Sequence, residues 1–120
     1  MALPRDPVSI GEAMDPAELL DFVFDLSGVL EPDEAIEAFA MTMSAEGAAL
    51  GLLIETGARA PLLIENARAV QLWFAVAPAM RTDAAFTGEG VRIGIELRAT
   101  TNASPPRVRE RTFALTLRQR

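Results

Sequence analysis

The chain has 120 residues, half of them apolar, and a net charge of −6, which suits one domain whose core needs no metal or disulfide staple. It contains no Cys and no His, which excludes disulfides, thiol nucleophiles, imidazole bases and the usual sulfur or imidazole sites for zinc, iron or copper. The charge is uneven, with 13 acidic and 2 basic side chains in residues 1–65 against 4 acidic and 9 basic in residues 66–120, and every basic side chain is Arg. If the halves fold together these charges pair across one surface. If they do not mix, the module is two-faced and docks head to tail with its neighbours.

Residues 1–18 hold Pro4, Pro7 and Pro16 with four acidic side chains and read as an extended arm leading into a domain over 19–120. Asp15 and Pro16 would also suit the start of a short helix, as cap and first helical residue. From 20 to 26 the chain alternates, with Leu20, Phe22, Phe24 and Leu26 on one side and Asp21, Val23 and Asp25 on the other, the period of a half-buried strand. A loop with Gly28 and Pro32 follows. Residues 36–43 form the next strand candidate, although Ala, Glu and Met are also good helix formers. Glu37 shares the parity of Phe39, Met41 and Met43, so it lies at an edge or a bulge shifts the register there.

A turn at Glu46 and Gly47 leads to an apolar run over 50–56, and Gly57 ends it. A short run over 61–65 precedes 70–76, where Val70, Leu72, Phe74 and Val76 face inward and Trp73 falls on the other side. An outward Trp is either a contact residue, since aromatic anchors concentrate in interfaces, or is tucked under a loop. Gly88, Glu89 and Gly90 form a turn and lack the strand, helix and further glycines of a phosphate-binding loop. The clearest alternation comes last. Val91, Ile93, Ile95, Leu97 and Ala99 alternate with Arg92, Glu96, Arg98 and Thr100, and residues 111–118 repeat the pattern after a link containing Pro105 and Pro106. This is a long antiparallel hairpin. About seven short strands separated by Gly, Pro, Asn or Asp predict an all-β sandwich.

Candidate chemistry is sparse. Asp21 and Asp25 share a strand face, and Glu31, Asp33 and Glu34 share a loop, but neither set has the spacing of a calcium loop, and a catalytic pair needs a cleft. A Ser nucleophile would have only a carboxylate as its base. These carboxylates therefore read as a solvated β-surface, and no catalytic residue, cofactor or metal is expected. Arg107, Arg109, Arg111, Arg118 and Arg120 make the end of the chain basic, yet no stacking aromatics are interleaved with them, so nucleic acid is not the expected partner. These arginines are expected to pair with the acidic half of the same or a neighbouring chain. No run approaches 18 apolar residues, so no membrane span is expected. The first residues do not resemble a basic start with an apolar core, which leads to an expectation of assembly in the cytoplasm.

Residues 15–27, Asp-Pro-Ala-Glu-Leu-Leu-Asp-Phe-Val-Phe-Asp-Leu-Ser, resemble the first strand of the small immunoglobulin-like phage fiber-tail adaptor proteins, with its DP-(D/E)-E-x-LDY-x-(I/F)-D-W-S-like pattern. Residues 98–102 and 109–118 are similar to that family's closing hairpin, a strand ending in Thr-Thr, a turn, and a strand opening Arg-Glu-Arg-Thr. The middle of the chain matches in spacing. The resemblance implies an immunoglobulin-like sandwich and a non-enzymatic virion protein, present in several copies of a symmetric assembly at the tail or neck and bridging other virion proteins to a fiber. The prolines of the arm and the charged flanks of the final hairpin make these two the expected docking elements. Trp73, Arg98, Arg109, Arg111, Asp21 and Asp25 are the candidate interface residues. Another virion role (head-tail joining, tail completion or decoration) and a ligand-binding sandwich remain alternatives.

Overall fold

The computed structural model describes residues 8–120. Among them the elements run in the order β1 (Val8–Ser9), β2 (Leu20–Asp25), β3 (Ile36–Met43), α1 (Ala45–Ala49), β4 (Leu52–Ile54), β5 (Leu62–Ile64), β6 (Ala69–Val76), β7 (Val91–Thr101) and β8 (Val108–Leu117), with short 3-10 turns between several of them. One sheet has the order β1-β8-β7-β3, and the other has β2-β6-β4 with β5 also on β6. β4 pairs with Phe74 to Val76 and β5 with Ala69 to Gln71, so the two share one edge of β6. Setting β2-β6-β4 against β8-β7-β3 reproduces the strand order of an immunoglobulin-like sandwich. The seven strands expected from alternation are present, and the two-residue β1 is added to them.

The alternation decides what lies between the sheets. Ile93, Ile95, Leu97 and Ala99 of β7 and Phe113, Leu115 and Leu117 of β8 are buried against Phe22 and Phe24 of β2 and Leu72 and Phe74 of β6. Burying each large side chain of this kind is worth about 1.5–3 kcal/mol. Phe24 stacks on Phe113 with ring centroids 4.2 Å apart, a direct bridge between sheets.

The arm expected over 1–18 needs correction in its described part. β1 pairs in parallel with β8, the N–H of Ile10 donates to the Ala114 carbonyl at 3.0 Å, that of Met14 donates to Thr116 at 2.9 Å, and the Met14 side chain is fully buried. An unpaired β8 edge would leave a row of backbone donors and acceptors open, and residues 8–14 close it from Phe113 to Leu117. These residues belong to the domain. Residues 1–7 of the expected arm lie outside the described part. The final hairpin is likewise an internal pair of its sheet where β1 takes the outer side of β8, at Phe113 and Ala114.

Residues 36–43 form a strand rather than a helix because β7 offers them a ladder from Thr101 to Ile95, and the register shifts between Ile36 and Ala38, at Glu37. The turn expected at Glu46 and Gly47 is instead a short helix. Ser44 caps it, its hydroxyl oxygen accepting from the Gly47 N–H at 3.3 Å, and Gly47 lies so close to Ile93 and Met43 that a Cβ would collide with both.

Candidate interaction surface

On β6, Val70, Leu72, Phe74 and Val76 are buried, which turns Gln71, Trp73 and Ala75 to the outside of their sheet. Register assembles the neighbours of Trp73. Asp21 lies opposite it on β2, and on the other side the Glu55 N–H donates to the Trp73 carbonyl at 2.8 Å. One row further along, Val23, Gln71 and Leu62 align, and in the opposite direction Ala75 aligns with Leu53. Leu62 is 57% exposed, Val23 and Leu53 48% each and Leu19, just before β2, 38%. Among the described residues only Val108 is a comparably exposed large apolar side chain elsewhere. Trp73 is half-buried, and the Arg59 guanidinium lies 5.5 Å from its ring centroid, within the range of a cation–π contact. The surface is thus an apolar face centred on Trp73, with Asp21 and Glu55 along its margins.

The remaining candidates lie elsewhere. Asp25 is at the far end of β2, where its carboxylate accepts from the Ser27 N–H at 2.8 Å. The Ser27 backbone and hydroxyl, then the positive charges of Arg68 and Arg111, hold it below the ordinary carboxylate range, so it is a standing negative charge and no proton donor. Arg111 and Asp25 line a shallow depression with Gly28 and Phe113. Arg98 is on the outer face of the other sheet, paired with Glu110, so the sandwich separates it from Trp73. Arg109 turns into the loop over 27–35 and donates to the buried Glu34 carboxylate at 3.1 Å. The expected pairing between the basic end and the acidic half is thus realised in one chain at Arg109 and Glu34.

Glu34 also accepts from the Glu31 N–H at 3.0 Å. That bond, the Thr101 hydroxyl and Arg109 hold its carboxyl at about 2, against the desolvation that opposes ionisation. Arg68 completes the fastening of this loop, donating to the carbonyls of Glu34 at 2.7 Å and Glu31 at 2.9 Å. Both arginines here satisfy internal acceptors. Sequence reasoning missed Arg68, because its acceptors lie more than thirty residues upstream. It also missed Leu53, Leu62, Glu55 and Arg59, because short continuous apolar runs hide which side faces out.

Among the described residues no group of three or more Asp or Glu is arranged to hold a metal ion, and no helix is long and apolar enough to cross a membrane. No protein-family model, curated protein or solved structure matches the chain. The arrangement is suited to contact: an aromatic anchor, apolar neighbours and an acidic margin on a rigid sheet fit a partner that brings apolar side chains flanked by basic ones.

Proposed function

We propose that the chain is a structural component of a tailed phage or phage-like particle, an adaptor joining tail or neck proteins to a fiber, and not an enzyme. The observation that carries the reading is the concentration of exposed apolar side chains around Trp73 on one sheet face. Isolated exposed apolar residues are normal, whereas a cluster with a polar rim marks a contact site. The resemblance of residues 15–27 and 98–118 to the fiber-tail adaptors supplies the class of partner. These stretches cover β2, which borders the Trp73 face, and the hairpin that supports it from behind. In this reading the Trp73 face docks on a tail or neck protein, copies are arranged by the symmetry of the particle, and the chain resides in the virion after assembly in the host cytoplasm.

The test is cryo-electron microscopy of intact particles from the source organism. The expected result is density for this sandwich shared between a tail ring and a fiber, with Trp73 at the contact. Absence of the chain from purified particles overturns the reading.

A further inference from the structure

We infer that the β3 edge pairs with the β3 edge of a second copy, antiparallel about a two-fold axis, joining two sheets into one. This stands on different residues from the Trp73 face and does not rest on the particle reading.

β3 is the last strand of its sheet, and from Ala38 to Met43 it carries no charge, Pro or Gly. The Ser44 N–H donates to the Gly94 carbonyl at 3.0 Å. Because bonded and non-bonded positions alternate in an antiparallel ladder, Thr42, Ala40 and Ala38 are the residues bonded to β7. The N–H and C=O groups of Phe39, Met41 and Met43 therefore face away from the sheet. The side chains of these same three residues are only half-buried, although they pack on the core. The edge thus leaves a backbone ladder and a row of apolar side chains half finished.

A second β3 satisfies both. With Met41 on the axis, the backbone of each Met41 bonds its twin, Phe39 bonds Met43 of the other copy and the reverse. Large side chains then meet large ones on the inner face, while Ala40 meets Thr42 on the outer face. The two Glu37 side chains fall at opposite ends, about 26 Å apart at ~3.3 Å per residue, beyond the reach of screened repulsion.

Charge excludes the same arrangement at the other long edge. The Leu26 N–H donates to the Arg68 carbonyl at 3.0 Å, so by the same alternation Asp21, Val23 and Asp25 carry the outward groups of β2. Self-pairing about Val23 would set Asp21 against Asp25 twice, and like charges directly opposite are destabilising. The edge made by β4 and β5 is broken into two pieces of three residues; β1 and Met14 cover β8 only from Phe113 to Leu117, and self-pairing of its other half about Glu110 would set Glu110 against Glu110 and Arg109 against Arg111. The two-fold pairing uses up both β3 edges, so it closes at a dimer and does not grow into a fibre.

Sedimentation velocity over a concentration series, with far-UV circular dichroism to confirm folding, tests this. The wild-type chain is expected to be a monomer–dimer equilibrium, and Met41→Lys is expected to weaken it by at least about a hundredfold, as for burying unpaired charge. Because the chain has no Cys, Met41→Cys gives a second measurement that survives if the lysine variant fails to fold. Its Cα atoms would lie about 5.5 Å apart across the axis, within disulfide reach, so oxidation should yield a covalent dimer and Val23→Cys should not. A wild-type monomer at all concentrations, a dimer that Met41→Cys does not cross-link, or equal cross-linking through Val23→Cys overturns the inference.

Discussion

The two sheets bury similar inner faces and differ in what they hold outside and along their length. In the β1-β8-β7-β3 sheet, β7 and β8 pair without interruption from Val91 opposite Leu117 to Thr100 opposite Val108, and the outer face shows Arg98 paired with Glu110 among small residues such as Ala38 and Ala40. In the other sheet the outer strand is split into β4 and β5, and the outer face shows Trp73, Val23, Leu53 and Leu62. A long ladder with a polar exterior offers another molecule little to cover on its outer face. A short, interrupted ladder with an apolar exterior suits a surface completed by another molecule. On the reading proposed above, the hairpin sheet is the scaffold and the Trp73 sheet the working face, a division that substitutions can test.

The largest expected effect lies where the sheets meet. Phe113→Ala removes a buried ring stacked on Phe24 and should cost about 3–5 kcal/mol of stability, read from chemical denaturation. A loss under about 1 kcal/mol would mean that the core closes over the gap and that the hairpin is not the rigid scaffold described. Next comes the loop fastening beside the working face. Arg68→Ala removes the donor shared by the carbonyls of Glu31 and Glu34 and should cost about 2 kcal/mol, with amide exchange accelerating in 27–35 before the rest of the chain.

Glu34 gives this fastening a pH dependence. Its folded carboxyl titrates at about 2, below its ordinary value of 4.5, so the folded state binds the proton less readily than the unfolded chain. Stability from this group is fully present above pH 4.5 and is lost as pH falls toward 2. Asp15 and Asp25 are lowered too, Asp15 first by the Ala17 N–H and then by Arg120, Asp25 first by Ser27, and both act in the same sense. Glu34→Gln should therefore be less stable than wild type at neutral pH and converge with it toward pH 2. A constant gap across that window would show that the ionised carboxylate is not what holds the loop.

Trp73→Ala separates scaffold from working face most directly. Trp73 is half-buried and packs under Arg59, so truncation should cost stability only about 1 kcal/mol, while removing a central aromatic anchor should cost binding more than about 2 kcal/mol. Leu62→Asp, at a side chain 57% exposed, should move stability by no more than about 0.5 kcal/mol and, on the proposed adaptor reading, still reduce incorporation into particles. If both variants incorporate normally, the apolar exterior is not the docking surface.

How much of this the chain announces depends on the range of the interaction. The period of two in 20–26, 70–76 and 91–100 reports which side of each strand is buried, and the observed burial follows it at Phe22, Phe24, Leu72, Phe74, Ile93 and Ile95. The misplaced parity of Glu37 announces the register shift at that point. Met14 could not be placed, because nothing local distinguishes an apolar residue in a proline-rich segment from one seated beside Leu117. The five-residue α1 is too short for a helical period, and its one local sign is Ser44 three residues before Gly47. Of the candidate surface, Trp73 and Asp21 were legible from parity. Leu53 and Leu62 were not, because the ends of β4 and β5 set their side and a continuous apolar run does not mark them.

The smallest expected effect is a gain, and it also belongs to the working sheet. The turn joining β5 to β6 holds Glu65, Asn66 and Ala67 in succession at φ of 56°, 58° and 59°. Asn tolerates that region, whereas Ala pays about 1–2 kcal/mol for it. The turn persists because tertiary bonds hold it: the Ala67 carbonyl accepts from the Ile36 N–H at 2.7 Å, and the Arg68 carbonyl accepts from Leu26. Strain of this kind survives only where the surroundings over-determine it, and here it ties β6 to both β2 and the start of β3. Ala67→Gly should remove the local penalty and lose part of the gain to the greater freedom of Gly in the unfolded chain, leaving a net stabilisation of about 0.5 kcal/mol and a Tm raised by about 2 °C. A lower Tm would mean that the Ala67 methyl group packs well enough to outweigh its backbone, placing rigidity rather than strain at the root of the working face.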